Sequence, residues 1–153
     1  MRRLMAAVAA TALMGATEAA AENWQAAGAD AEQIIGVEVT SIGGDDRLRT
    51  ATVLFVFART RAGGADIVMS AAGFDCVAHT VAVVTTDVYA ADGTLLSSSA
   101  DGEDAADMPI ERGSLIQSVE EVVCQGQRYP PGLPDAMTFA AAAREVLQRG
   151  GTR

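Results

Sequence analysis

Residues Leu48 to Arg59 read LRTATVLFVFAR, and their alternation decides the fold. In an extended chain Leu48, Thr50, Thr52, Leu54, Val56 and Ala58 point one way. Arg49, Ala51, Val53, Phe55, Phe57 and Arg59 point the other way. The middle of the run is apolar on both sides. Such a strand is covered on both faces, so it is predicted to lie in the middle of a sheet rather than at an edge.

The flanks on either side continue the pattern. Upstream, Gln33 to Ile42 (QIIGVEVTSI) is β-branched and partly alternating, hence a strand. Gly43-Gly44-Asp45-Asp46 reads as the turn between the two. Downstream, Ala62-Gly63-Gly64 turns the chain, and Ala65 to Gly73 (ADIVMSAAG) forms an antiparallel strand leading into Phe74-Asp75-Cys76. His79 to Val88 (HTVAVVTTDV) is again β-branched. Tyr89 to Leu96 (YAADGTLL) predicts a hairpin, with Asp92-Gly93 as a two-residue turn in which both residues have positive φ. Ser97 to Asp107 (SSSADGEDAAD) is small, polar and acidic, and reads as a solvated loop that Met108-Pro109-Ile110 leads out of. Strand after strand joined by short turns gives an antiparallel meander.

Two helices follow. Ser114-Leu115-Ile116-Gln117 has the spacing of a capping box, in which the serine takes one free amide and the glutamine reaches back for another. Leu115, Val119 and Val122, widened by Ile116 and Val123, form the apolar stripe. Glu120 and Glu121 are expected away from its centre, with Cys124 at the C-terminal end. Gln125 to Pro134 (QGQRYPPGLP) is too rich in proline for a helix. Asp135 to Gln148 predicts the second helix, capped by Asp135 or Thr138. Its apolar side comprises Phe139, Ala143, Val146 and Leu147, and Gly150-Gly151 ends it. The fold class is therefore α+β: a twisted antiparallel meander with a packed short helix and a C-terminal helix.

The chain opens with Met1-Arg2-Arg3, an apolar run from Leu4 to about Gly15, and Ala19-Ala20-Ala21 before Glu22. A basic start, a short apolar middle and a small-residue exit describe a secretory signal peptide cleaved after Ala21. The apolar run is about a dozen residues, short of the ~20 that span a bilayer. Residues 22–153 then form one domain of ordinary small size. Trp24 is expected as a core anchor at its start rather than a ligand platform. The formal charge of the whole chain is −9, and every strong base is arginine. Removing the leader makes the mature chain one charge more acidic. This balance argues against nucleic acid and against anionic membranes, both of which need clustered bases.

Cys76 and Cys124 are the only two cysteines, and in an exported chain two cysteines pair. The bond would pin helix to sheet. A metal site is disfavoured, because two thiolates alone leave a tetrahedral zinc site incomplete.

Candidates for chemistry are few. His79 is the only histidine. Placed on a strand four residues from Asp75, it would face the same way yet lie too far for contact, and no G-x-S-x-G elbow supplies a nucleophile. Asp101, Glu103, Asp104 and Asp107 form an acidic cluster whose spacing departs from that of an EF-hand, so a charged, solubilising loop is expected before a calcium site. Gly43-Gly44 and Gly63-Gly64 do not open helices and are not phosphate cradles. No catalytic residues, metal or cofactor are expected.

The order of Trp24, Glu38-Val39-Thr40-Ser41-Ile42, Leu48 to Arg59, Asp75-Cys76, Tyr89-Ala90-Ala91-Asp92-Gly93 and Val123-Cys124 resembles the surface-adhesin protein E-like family of exported bacterial proteins. Glu38 stands where that pattern has Asp, and Ala51 where the long strand often carries an aromatic. The leader lacks the lipid-attachment cysteine of the anchored adhesin. The resemblance implies a non-catalytic, disulfide-stapled sheet protein, and its best-known relative binds host matrix proteins.

The function expected first is a periplasmic or secreted binding module, engaging a protein of the host matrix or envelope through its sheet face or loops. Next comes an envelope accessory protein, dimeric through an exposed sheet edge. A hydrolase built on His79 with Asp75 or a serine ranks last.

Overall fold

A computed structural model of the chain describes residues 21–100, 102 and 105–150. The expected leader at 1–20 lies outside them, as do Asp101, Glu103 and Asp104 of the acidic cluster.

The strands are β1 (Trp24–Ala29), β2 (Gln33–Gly44), β3 (Leu48–Phe57), β4 (Ile67–Asp75), β5 (Thr80–Tyr89), β6 (Leu95–Ala100) and β7 (Met108–Pro109). The helices are α1 (Leu115–Cys124) and α2 (Ala136–Gly150). β1 to β6 pair in chain order, every pair antiparallel, and β7 pairs with β5 where β6 does not reach. The meander is thus as the sequence predicts, with β3 held between β2 and β4.

The two faces of β3 explain its composition. Ala51 and Val53 join Ile35, Val37, Ala72 and Phe74 against Val119, Val122 and Val123 of α1. Leu54 and Val56 join Trp24, Ile34 and Ile67 against Phe139, Ala140, Ala143 and Leu147 of α2. One helix therefore seals each face, and β3 is apolar on both sides because both are covered. Gly36 of β2 lets α2 approach: a Cβ there would sit 2.6 Å from Cε1 and Cζ of Phe139. Trp24 is buried as an anchor, its ring 6.2 Å from that of Phe139, with Nε1 donating to Glu22. The irregular connector returns to β1, where Trp24 and Leu133 exchange backbone hydrogen bonds of 2.9 and 2.8 Å.

The helix starts are capped by side chains. Ser114 Oγ accepts from the Gln117 amide at 3.2 Å, while Gln117 Oε1 takes the Gly113 amide rather than that of Ser114. Asp135, not Thr138, caps α2, its Oδ1 accepting from the Thr138 amide at 2.8 Å. Val146 is exposed rather than part of the apolar side of α2, whose buried stripe runs through Phe139, Ala140, Ala143 and Leu147.

Other expectations change. β2 runs through Gly43-Gly44, and the turn follows at Asp45, whose Oδ1 accepts from the amides of Arg47 and Leu48. The Asp92-Gly93 hairpin is not a two-residue turn. Gly93 N donates to Ala90 O, Ala90 N donates to Thr94 O, and of the pair only Gly93 has positive φ. This is a longer loop closed by a left-handed glycine. Ser97 to Ala100, expected as loop, is strand: it pairs with Thr85 to Val88 of β5, so the neighbouring strand overrides weak local propensity.

Candidate functional site

Two regions gather the residues that the sequence singles out. The first is the corner where the turn after β4 meets the end of α1. Cys76 and Cys124 are bonded there, with Cα atoms 5.6 Å apart, so the bond ties turn to helix. Asp75 organises the turn. Its Oδ1 accepts from the amides of Val77 and Ala78, and its Oδ2 from Nε and Nη2 of Arg47 at 3.1 and 3.0 Å. The Ala78 amide first, then the Arg47 guanidinium, hold its carboxyl below the ordinary range.

His79 is not strand-borne. It closes this turn with φ 56, its amide donating to Asp75 O at 2.8 Å, a left-handed conformation that histidine shares with asparagine and aspartate more readily than other non-glycine residues. The turn brings His79 near Asp75 through the backbone, yet the side chains part. Asp75 faces Arg47, whereas His79 Nδ1 lies 2.7 Å from Oε1 of Glu120. Glu120 is also a correction, being buried on α1 with its side chain only 7% exposed, against 67% for His79. Glu120 and Cys124 are four residues apart on the helix, and Cys76 and His79 three apart on the turn. The His79–Glu120 contact and the disulfide therefore form a two-point clasp between the same elements. Asp75 therefore pairs with Arg47, and Glu120 is the carboxylate that holds His79, linking the turn to α1.

A second polar knot lies in β2. Buried Glu38 accepts from the Asn23 amide (2.8 Å), the Thr40 amide (3.0 Å) and Thr40 Oγ1 (2.6 Å). Ser41 Oγ donates to Glu38 O at 2.7 Å and accepts from the Thr52 amide at 2.9 Å. These bonds bridge the register shift between Glu38 and Gly43, which gives the acid-x-x-Ser pattern its physical meaning. Burial alone would raise the Glu38 pKa, but the bonds from Thr40 and Asn23 outweigh it and hold the group below its ordinary value.

The second region is the open part of the sheet. All six residues of β6 are exposed, and most of β5 is only half-buried. Ser98 Oγ donates to Asp87 Oδ1 at 2.5 Å across the pair. Leu95 and Met108 are exposed at the two ends of this edge. Asp107 is exposed beside β7. Among the described residues no group of three or more His, Cys, Asp or Glu side chains could hold a metal ion. A depression of about 470 Å³ beyond β3, lined by Glu32, Arg59, Thr60 and Arg61, is bridged by the Arg61–Glu32 ion pair at 3.1 Å. Among the described residues no helix is long and apolar enough to cross a membrane.

The described residues thus form a stapled antiparallel meander with a clasped register shift in its second strand and an open outer ribbon. The family model described as Surface-adhesin protein E matches residues 24–125, from the first residue of β1 to just past Cys124, and the chain belongs to that family. The family is one of surface or exported proteins. No curated protein matches the chain.

Proposed function

We propose that the chain is an exported, non-enzymatic binding protein, periplasmic or secreted, that holds a protein partner on the β5–β6 ribbon. The observation that carries this reading is the contrast within one sheet. β3 is sealed on both faces, whereas β6 is exposed at every residue. Exposed surface of this kind, with an unpaired strand edge, is suited to recruiting a partner. The tying of both cysteines to each other supports a role without thiol chemistry.

The test captures partners on the immobilised mature chain from envelope extract and from host matrix proteins in parallel. A saturable interaction that weakens when β6 is altered is expected. Absence of any saturable partner in both arms overturns the reading. An activity lost in His79→Ala without loss of folding would overturn the non-enzymatic part. The open backbone of β6 also favours a second reading, an envelope accessory protein that pairs with its own copy. Sedimentation equilibrium separates the two.

A further inference from the structure

We infer that β6 accepts an extended, arginine- or lysine-rich protein segment as an added antiparallel strand; this rests on the binding reading above and names the chemistry of its partner. Three observations carry it. First, among the described residues β6 pairs with β5 along one side only, so its other side presents backbone N–H and C=O groups without a strand partner. Second, apart from its short length and the register shift at Val88/Tyr89 where its pairing begins, β6 carries few of the devices that usually blunt such an edge. β6 reads LLSSSA, with no lysine, proline or inward charge, and Ser97 to Ala100 are too small to screen the backbone.

Third, the segment that carries the edge holds charge of one sign, although Arg144 of α2 lines a depression together with Asp92. From Thr80 to Glu111 the chain carries aspartate and glutamate but no arginine, lysine or histidine. Among the described residues, Asp87 lies on β5 opposite Ser98, Asp92 in the β5–β6 loop, and Asp107 and Glu111 flank β7. A strand added to β6 would run two strand spacings from β5, roughly 10 Å from Asp87. That is about one Debye length at 0.1 M salt, close enough for these carboxylates to favour a basic segment. The same field decides against a second copy as the occupant. Pairing β6 with its own symmetry mate would set two acidic ribbons together without a base between them. Exposed Leu95 and Leu96 at the start of the strand offer apolar contact to alternate side chains of the guest.

The experiment titrates the full mature chain into a labelled peptide roughly eight residues long, the span of an ordinary strand, alternating Arg and Val. A Glu-Val peptide of the same length is the control. Binding of the Arg-Val peptide is expected to be at least about tenfold tighter than that of the control, to weaken as salt rises, and to slow amide exchange in Ser97–Ala100. The Ser97→Lys/Ser99→Lys chain, altered only at exposed positions, is expected to keep its unfolding transition and lose at least about tenfold in affinity. Equal binding of the two peptides, or binding that leaves β6 exchange unchanged, overturns the inference. So does a β6-dependent dimer. Should the captured natural partner bind the double-lysine chain as well as the parent, strand addition fails while the broader binding reading stands. If no partner is captured at all, it is that broader reading that fails.

Discussion

Glu38 has its carboxylate out of water at the one place where β2 slips against β3. Three donors surround it, and a fourth, the hydroxyl of Ser41, grips its carbonyl. Glu38→Ala would leave those part-buried donors without their acceptor, so a loss of ~1 kcal/mol of unfolding free energy is expected in urea titrations. The pH dependence follows from the same bonds. A carboxyl whose pKa is lowered on folding stabilises fully above its unfolded value and loses that contribution as pH falls through the folded one. The melting temperature should therefore decline as pH drops below the ordinary glutamate value of 4.5, and decline less steeply in Glu38→Gln. Equal slopes in parent and variant would exclude Glu38 as the source. Glu38 was legible in the sequence only as a motif letter. His79 was visible as a lone histidine, but its partner Glu120 lies 41 residues away, and no local periodicity encodes a contact of that range. The burial of Glu120 was missed for the same reason, since a helical wheel assigns it to solvent.

At the scale of elements, α1 is short, and its position depends on its ends. Ser114 caps its start. Its last carbonyls accept from cations brought in by other segments: Arg128 Nη1 reaches Val122 O at 2.9 Å, and Arg49 Nη1 of β3 reaches Val123 O at 3.2 Å. The disulfide then closes a loop of 48 residues. In the chain-entropy view a loop of that length stabilises by about 4 kcal/mol, so Cys76→Ala/Cys124→Ala should lower the denaturant midpoint correspondingly. Retention of the parent midpoint would show that the brace of His79 and Glu120 suffices alone. On the opposite face, Gly36→Ala would drive a methyl group into the ring of Phe139. A loss of ~1–3 kcal/mol is expected, read from thermal or chemical unfolding. Both helices were legible because caps and apolar stripes are local signals. Which face each one covers was not, because that depends on where the connectors lead. Val146 illustrates the gap: it shares the period of the stripe but stays exposed.

Across the whole molecule, cover is uneven, and that sets where the fold gives way. β3 has a strand on each side and a helix on each face, with Val53, Leu54 and Val56 buried in two separate cores. Opening it exposes both cores at once, so its amides should exchange only through global unfolding. β6 has one neighbour and no buried residue. Detaching it removes a few backbone bonds and almost no apolar burial, so little free energy opposes the opening. The order of β2 to β5 was legible because each is followed by its own turn signal, whereas β1 and β7 were not read as strands. The weakness of the last ribbon was hidden, because a serine-rich strand and a serine-rich loop look alike until a partner strand is in place. Hydrogen exchange on the free monomer should accordingly show a gradient across the sheet, slowest in Val53–Val56 and approaching unstructured rates in Ser97–Ala100. Protection of β6 equal to that of β3, at concentrations where the chain is monomeric, would mean that the ribbon is held by contacts other than those seen here. An edge that opens easily is also an edge whose outer backbone a guest strand can order, so added peptide should slow exchange first in β6 and leave β3 unchanged.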